Sequence, residues 1–390
     1  MKEVKGVYTT AKVFSDNVED KALLQIKMLC NNEAFYNCKV RVMPDVHPGY
    51  FGTIGFTSTL GDRILPEVIG PDIGCGVSIA KIDKKNIEFK KLDAVIRDYV
   101  PSGFNIRNTV HSNYERYCDI LKFRCAKAIN FEKAQLSLGT LGGGNHFIEV
   151  DKDDEDNLYL VVHTGSRILG EFIFSYYMKE GQMRLKSRGI DIPFELTYLD
   201  GELMKDYIHD VETATAYAQI NRLTILDEIE KHMKFKEVWY TESIHNNIQC
   251  GSSINTNDTI ITKGSWPLID DIIIRKGAIS AYNGICTIIP INMKDGIILG
   301  TGLGNEDWNY SAPHGAGRIM NRESVKSNFT VNQFKKEMKG IYSSCIRKDT
   351  LDEAPFAYRG IDEIKEAISE TVKIDKILKP VYNFKAGGKE

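Results

Sequence analysis

Apolar positions fall into two rhythms along the first third of the chain. Asp20 to Cys30 reads as a helix, whereas Val40–Met43, Gly52–Thr59 and Val77–Ile82 are short apolar runs punctuated by Pro and Gly, which predicts strands ending in loops. Helical patterns follow at Ile87–Tyr99 and Ser112–Ile129, then a glycine-rich turn and two strands, His146–Val150 and Leu158–His163. From about Arg167 to Lys234 the pattern is helical, and Ala216, Ile220, Leu223, Leu226, Ile229 and Met233 mark one face to be packed inward. Strands are predicted again at Thr259–Thr262, Ile272–Ile274, Ile285–Ile291 and Ile297–Leu299, joined by Gly- and Asn-containing turns, and the C-terminal stretch reads as helices. The order predicts a mixed α+β fold with its chemistry on loops at strand ends. No internal repeat or proline-rich linker divides the chain, so residues 1–390 are expected to form one domain.

Composition narrows the function classes. A 390-residue chain that is 42% hydrophobic and 26% charged has enough apolar content for a large core and too much for a disordered chain. Its 50 Lys and Arg against 53 Asp and Glu leave a net charge of −3, which gives no global attraction to nucleic acid or to an anionic membrane. A nucleic-acid site must then be a local patch. One candidate is Arg318, Arg322, Lys326, Lys335, Lys336, Lys339, Arg347 and Lys348, opposed within that stretch only by Glu323 and Glu337; taken alone it is equally a solvated helix face. The N-terminal residues lack the apolar core of a secretory signal and no apolar stretch is long enough to span a bilayer, so the expectation is a cytoplasmic protein with no membrane partner. Eight cysteines without a CxxC pair argue against a disulfide framework or a zinc ribbon.

One cysteine stands apart. In Pro71-Asp72-Ile73-Gly74-Cys75-Gly76, between apolar runs, Asp72 and Cys75 offer a carboxylate and a thiolate as a pair of metal donors; the bland alternative is a tight turn with a buried Cys. The loop Pro44–Gly49 adds Asp45 and His47, either of which could support ligands from behind. In Gly142–Glu149, three glycines precede Asn145 and His146 at a strand start, a composition suited to wrapping phosphate with backbone amides. His163 and His245 each end an apolar run. A single such histidine is usually structural, but three beside an Asp-x-x-Cys loop point to a metal centre for manganese, iron or zinc. His111, His209 and His232 sit in polar helical patterns and read as surface residues. Finally, small residues surround His314 in Ala312–Arg318, where a helix is predicted to start; His314 could be a ligand, a general base, a packing residue or a nucleophile toward a nucleotide α-phosphate.

Taken together and in order, these segments resemble the RtcB family of RNA-splicing and RNA-repair ligases. The resemblance rests on Met43–Gly49, Asp72–Gly76, Gly142–Glu149, His163–Arg167, His245-Asn246, His314–Arg318, Asp352–Tyr358 and Lys385, and covers nearly the whole chain. It implies an RtcB-type catalytic domain whose mixed sheets enclose two manganese ions held by Asp72, Cys75, His146, His163 and His245. It also implies GTP as co-substrate and His314 as the residue that carries GMP. Asn145, Phe147, Glu149, Thr301, Ala316, Gly317, Tyr358 and Lys385 would contact the nucleotide, with Glu149 reading the guanine edge. The implied substrates are RNA ends bearing a 3′-phosphate or 2′,3′-cyclic phosphate and a 5′-hydroxyl, with an activating protein partner left open. Three departures stand out: a Gly300-Thr301-Gly302-Leu303-Gly304 loop replaces a Ser-Met-containing one, Pro313 replaces a cysteine, and Asn321 replaces a serine. Two other readings compete, a metal-dependent phosphoesterase acting on RNA terminal phosphates and a catalytically silent RNA binder; dependence on GTP separates the first, and the full donor set argues against the second.

Overall fold

A computed structural model describes residues 1–118, 122–249 and 272–386. Two sheets dominate. The larger runs in the order Glu237–Ile244, Gly76–Ile82, Leu158–Thr164, Phe147–Lys152, Val372–Lys385, Gly296–Gly302, Cys286–Asn292, with every pairing antiparallel. Its two edge strands approach one another, and the Ile288 N–H donates to the Ser243 hydroxyl at 3.2 Å, so the sheet curls toward a barrel. Alternation then gives it two apolar faces. Val77, Ile79, Val161, Ile288, Ile297, Leu299 and Leu378 fill the curled interior, while Ile148, Val150, Leu160 and Val162 face Ile225, Leu226 and Ile229 of the helix Gly201–Met233.

The smaller sheet has the order Lys2–Lys5, Thr10–Val13, Val40–Pro48, Thr53–Thr59, Ile273–Lys276, Asn246–Gln249, with one parallel pair between Thr10–Val13 and Val40–Pro48. The chain passes from Glu237–Ile244 in one sheet to Asn246–Gln249 in the other through a single residue, His245, which is therefore fixed at the seam. Helices Asp20–Cys30, Phe89–Tyr99 and Ile168–Ser187 cover the outside.

The strand and helix expectations hold for most of the chain, with small shifts at the ends. Thr259–Thr262 lies outside the described residues. Three expectations are corrected. Ser112–Ile129 contains only short helical turns at Tyr114–Cys118 and Ala126–Ala128 among its described residues. The helix expected at His314 begins instead at Arg322, capped by the Asn321 side chain, which accepts from the Ser324 N–H. The C-terminal stretch includes helices, but Val372–Lys385 is a 14-residue strand near the middle of the larger sheet. Its apolar residues alternate with Lys and Asp up to a bulge, a two-residue period that helical reading overlooks.

Because Leu378 is fully buried in the curled interior, Leu378→Ala is expected to lower unfolding stability by about 2–5 kcal/mol. The exposed Lys373→Ala on the same strand should change it by less than about 0.5 kcal/mol. Urea unfolding of the two variants checks this; equal losses would contradict the assigned facing of the strand.

Candidate metal centre and nucleotide cavity

Antiparallel pairing brings alternate strand starts and ends to one edge of the larger sheet. Cys75 precedes one strand, His146 precedes another, His163 pairs across from both Val77 and Phe147, His245 follows a fourth strand, and Lys385 ends the fifth opposite Phe147. Four metal donors separated widely in sequence thus converge, with Lys385 beside them. The Cys75 Sγ lies 3.4 Å from His146 Nε2 and 3.3 Å from His163 Nε2, and His163 Nε2 is 3.4 Å from His245 Nε2. Asp72 Oδ2 is 3.6 Å from His146 Nε2. The donor atoms form two overlapping groups, Cys75-His163-His245 and Asp72-Cys75-His146, each with its atoms within 4.8 Å of one another and sharing the cysteine.

The protonation pattern suits a metal. His146 Nδ1 lies 2.9 Å from the Leu141 carbonyl and His163 Nδ1 3.2 Å from the Asn145 carbonyl, so each Nδ1 carries the donated proton and each Nε2 lone pair faces the cluster. Burial, reinforced by neighbouring imidazoles, pushes His163 and His245 well below the ordinary histidine range and keeps both neutral. Burial would raise the Asp72 carboxyl, but in the absence of a cation a second proton on His146, at the Nε2 facing Asp72, outweighs it and lowers Asp72; a bound metal ion would take the place of that proton. Without a cation, burial and the Asp72 charge push the Cys75 thiol far up; a bound divalent ion would reverse that and take the thiolate. Two neutral-imidazole groups with a bridging sulfur are a donor set that fits two metal ions.

The loops are set from behind by two adjacent residues of the helix Gly201–Met233. Arg222, with no exposed surface, donates from Nη1 to the Gly74 and Thr164 carbonyls, both at 2.9 Å, from Nε to the Ser78 hydroxyl, and from Nη2 to Glu242 at 3.0 Å. Asn221 accepts from the Gly139 and Thr140 N–H groups and donates to the Thr140 and Gly165 carbonyls. Together they fix the chain beside Cys75, His146, His163 and His245. Gly74, at φ 71°, permits the contact, since a Cβ there would lie 2.8 Å from the Thr215 backbone of the helix.

A cavity of about 970 Å³ opens above the cluster, lined by His47, Asn145, Phe147, Glu149, His163, His314, Ala316, Gly317, Arg318, Tyr358 and Lys385 among others. A second, of about 630 Å³, reaches the cluster from the other side along Asp72, His146, Asn145 and Arg167. At the floor of the first, His314 Nδ1 is 2.7 Å from Oδ2 of the fully buried Asp45, leaving Nε2 free, and its ring lies 4.8 Å from that of His245. Asp45 also holds His47, whose Nδ1 is 2.8 Å from the Asp45 carbonyl. Gly317, at φ 74°, lets the loop lie against Asp45, where a Cβ would be 2.5 Å from its carbonyl oxygen. Across the cavity Lys385 Nζ meets Glu353 at 2.7 Å and sits 5.6 Å from the centre of the Phe147 ring, and the Tyr358 hydroxyl donates to Glu353 at 2.6 Å. Burial alone would raise the Glu353 carboxyl, but Lys385 and Arg322 pull it down to about 2.

Of the residues singled out in the sequence, the structure brings all but one together. Thr301 pairs with Lys373 at the far end of the strand that reaches the cavity at Lys385, and its hydroxyl donates to Asp375. The nearer end of that hairpin, Pro290 to Met293, lines the cavity instead. The basic cluster is also corrected: Arg318, Arg322 and Lys326 are engaged by Asp352 and Glu353 and Arg347 by Asp349, leaving Lys335, Lys336, Lys339 and Lys348 exposed. His111, His209 and His232 lie away from the cluster, against Glu228, the Lys122 carbonyl and the Tyr99 ring, and are half-buried rather than exposed. Arg222, Asn221 and Glu353 were missed; the signal for the first two was a polar pair embedded in an apolar helical run.

Fold and site define a metal-binding protein whose donor cluster opens onto a nucleotide-sized cavity with an oriented histidine at its floor. The family model for the tRNA-splicing ligase RtcB matches residues 25–386, and the chain belongs to that family. It is 29% identical over 375 residues to the RNA-splicing ligase RtcB of Escherichia coli (strain K12), covering 89% of this chain and 90% of that protein. It is 26% identical over 452 residues to the tRNA-splicing ligase RtcB of Aeropyrum pernix, covering 95% and 92%. Among the described residues no helix is long and apolar enough to cross a membrane.

Replacing Arg222 with Gln should free the Gly74 and Thr164 carbonyls and weaken metal binding by about 10–100-fold, the usual cost of losing support behind a ligand. Titration of the purified variant with Mn2+, followed by electron paramagnetic resonance, checks this against Arg222→Lys. Unaltered affinity in a folded Arg222→Gln protein would show that the helix does not set the donors.

Proposed function

We propose that this chain is a GTP- and manganese-dependent RNA ligase that joins RNA 3′-phosphate or 2′,3′-cyclic phosphate ends to 5′-hydroxyl ends through a histidine–GMP intermediate, in RNA repair or tRNA splicing. The observation that carries the reading is the Asp45–His314 pair: a buried carboxylate takes one ring proton, so the opposite nitrogen is presented as a nucleophile beside a metal donor cluster. The names of the two relatives, RNA-splicing ligase and tRNA-splicing ligase, support the reaction class. Since the site draws on residues from Asp45 to Lys385, we treat residues 1–390 as one catalytic domain.

His314 Nε2 attacks the α-phosphorus of GTP, forming a P–N bond as the bond to pyrophosphate breaks, and Asp45 stabilises the imidazolium through Nδ1–H. An oxygen of the RNA 3′-phosphate then takes GMP from the histidine. The 5′-hydroxyl oxygen next attacks the 3′-phosphorus, GMP leaves, and the strand is sealed; a cyclic phosphate is first opened by water. Asp72, Cys75, His146, His163 and His245 would hold the two Mn2+ ions, which supply Lewis-acid neutralisation of phosphate charge. Phe147, Asn145, Glu149, Ala316, Gly317, Tyr358 and Lys385 would seat the nucleotide, and Glu149 would meet the guanine edge. A cysteine ligand must stay reduced, which suits a cytoplasmic protein.

Incubation with Mn2+ and GTP labelled on the α-phosphate should leave label on the denatured wild-type chain and none on His314→Ala. Label should form at least about 100-fold more slowly on Asp45→Asn, which cannot hold the imidazolium as a carboxylate does. A metal-loaded wild type that never takes label, yet hydrolyses RNA terminal phosphates, would replace the ligase reading with the phosphoesterase.

A further inference from the structure

One buried acid behind the cavity wall is left unexplained by the proposed chemistry. Asp151 has no exposed surface, and neither carboxyl oxygen receives an N–H or O–H from any described residue. It lies two positions from Glu149 on the strand Phe147–Lys152, so both side chains leave the same face, and the two carboxyls are within hydrogen-bonding reach. Glu149 lines the cavity, and the Asn383 amide donates to it from the adjacent strand. The other charged group facing it is Lys385, itself committed to Glu353. Opposite the pair, on Leu158–Thr164, stand Val161 and Tyr159, the latter with its hydroxyl donated to Asp153. Among the described residues Lys385 is the cation that faces the pair, and it is committed to Glu353, so the two adjacent buried carboxylates share a proton.

Where that proton sits changes what the cavity can read. An ionised carboxylate only accepts, and so matches guanine, which presents N1–H and the N2 amino group side by side. A protonated carboxyl donates and accepts, and so matches adenine, which presents N1 as acceptor and N6 as donor. We propose that Asp151 is a specificity-determining residue: by keeping the shared proton and donating it to Glu149, it holds Glu149 as the acceptor that selects guanine. This rests on the reading above that Glu149 meets the nucleotide base. The electrostatics agree. Burial, then the charge of Glu149, pushes Asp151 far above the ordinary carboxyl range, so it is the protonated partner; burial also raises Glu149, but the hydrogen bonds from Asp151 and Asn383 and the charge of Lys385 work downward on it.

Removing Asp151 therefore raises Glu149 further and protonates it at neutral pH. The test is calorimetric binding of GMP and AMP to the full-length, Mn2+-loaded protein at about pH 6, about pH 7 and about pH 8.5. Wild type should prefer GMP, less so at the lowest pH as Glu149 takes a proton. Asp151→Leu should lose about 10–100-fold of that preference at neutral pH, the range one bidentate base-edge pair supplies, and regain part of it at the highest pH. Asp151→Asn, whose amide still donates to Glu149, should keep the preference. An unchanged preference in Asp151→Leu, or equal loss in both variants, overturns the proposal while leaving the nucleotide site intact. Wild type that binds neither nucleotide overturns the site itself, and this inference with it.

Discussion

The centre depends on a buried arginine. Placing the guanidinium of Arg222 out of water is costly, and the structure offsets that cost by giving it the Glu242 carboxylate, two backbone carbonyls and a hydroxyl in one plane. A lysine, with a point charge on a flexible stem, cannot span the same partners. The two carbonyls belong to the loops that carry Cys75 and His163, and Glu242 stands three residues before His245. Asn221 adds the loop that leads to His146. One helical turn thereby sets the spacing of four donors from four strands, and the packing of Ile225, Leu226 and Ile229 onto the sheet sets the helix. Metal geometry is in this way transferred from the hydrophobic core.

Above this base the cavity is organised by carboxylates that never reach solvent. Asp45 is divided between two histidines, its carboxylate on His314 and its carbonyl on His47. Glu353 gathers Lys385, Tyr358, Arg318 and Arg322 around one buried charge. Each acid fixes the groups around it before any ligand arrives, which is how a site avoids reorganising during reaction. The cost falls on folding, since each carboxylate must find its partners as it is buried.

Much of this was legible in the sequence, for a reason that particular residues show. Asp72, Cys75, His146, His163 and His245 are each ambiguous alone but together form a donor set at strand ends, and short apolar runs beside them gave the strands. Pairing was not legible: nothing local tells that His163 stands across from both Val77 and Phe147. The strand Val372–Lys385 was hidden because its bulge interrupts the alternation, and the helix expected at His314 because glycine and alanine permit a loop as readily as a helix start. Thr301 illustrates the limit of motif position: being near a glycine loop in sequence placed it on the correct strand pair and at its wrong end.

The fate of the basic cluster bears on how a polyanion would enter. With a net charge of −3, the protein relies on local charge, yet Arg318, Arg322 and Lys326 are already paired with Asp352 and Glu353. Glu353 is held strongly ionised, so these cations are not free to move to a phosphate without leaving a buried carboxylate short of its partners. A phosphate that reaches the cavity must share them, adding a partner to an existing network instead of replacing one. That favours groups delivered at fixed geometry over loosely held ones. Of the cluster, Lys335, Lys336, Lys339 and Lys348 are left facing solvent, where their charge is screened by salt. The arrangement separates solvent-facing charge from alignment at the metal centre, and only the second requires the buried framework that Arg222 and Asp45 provide.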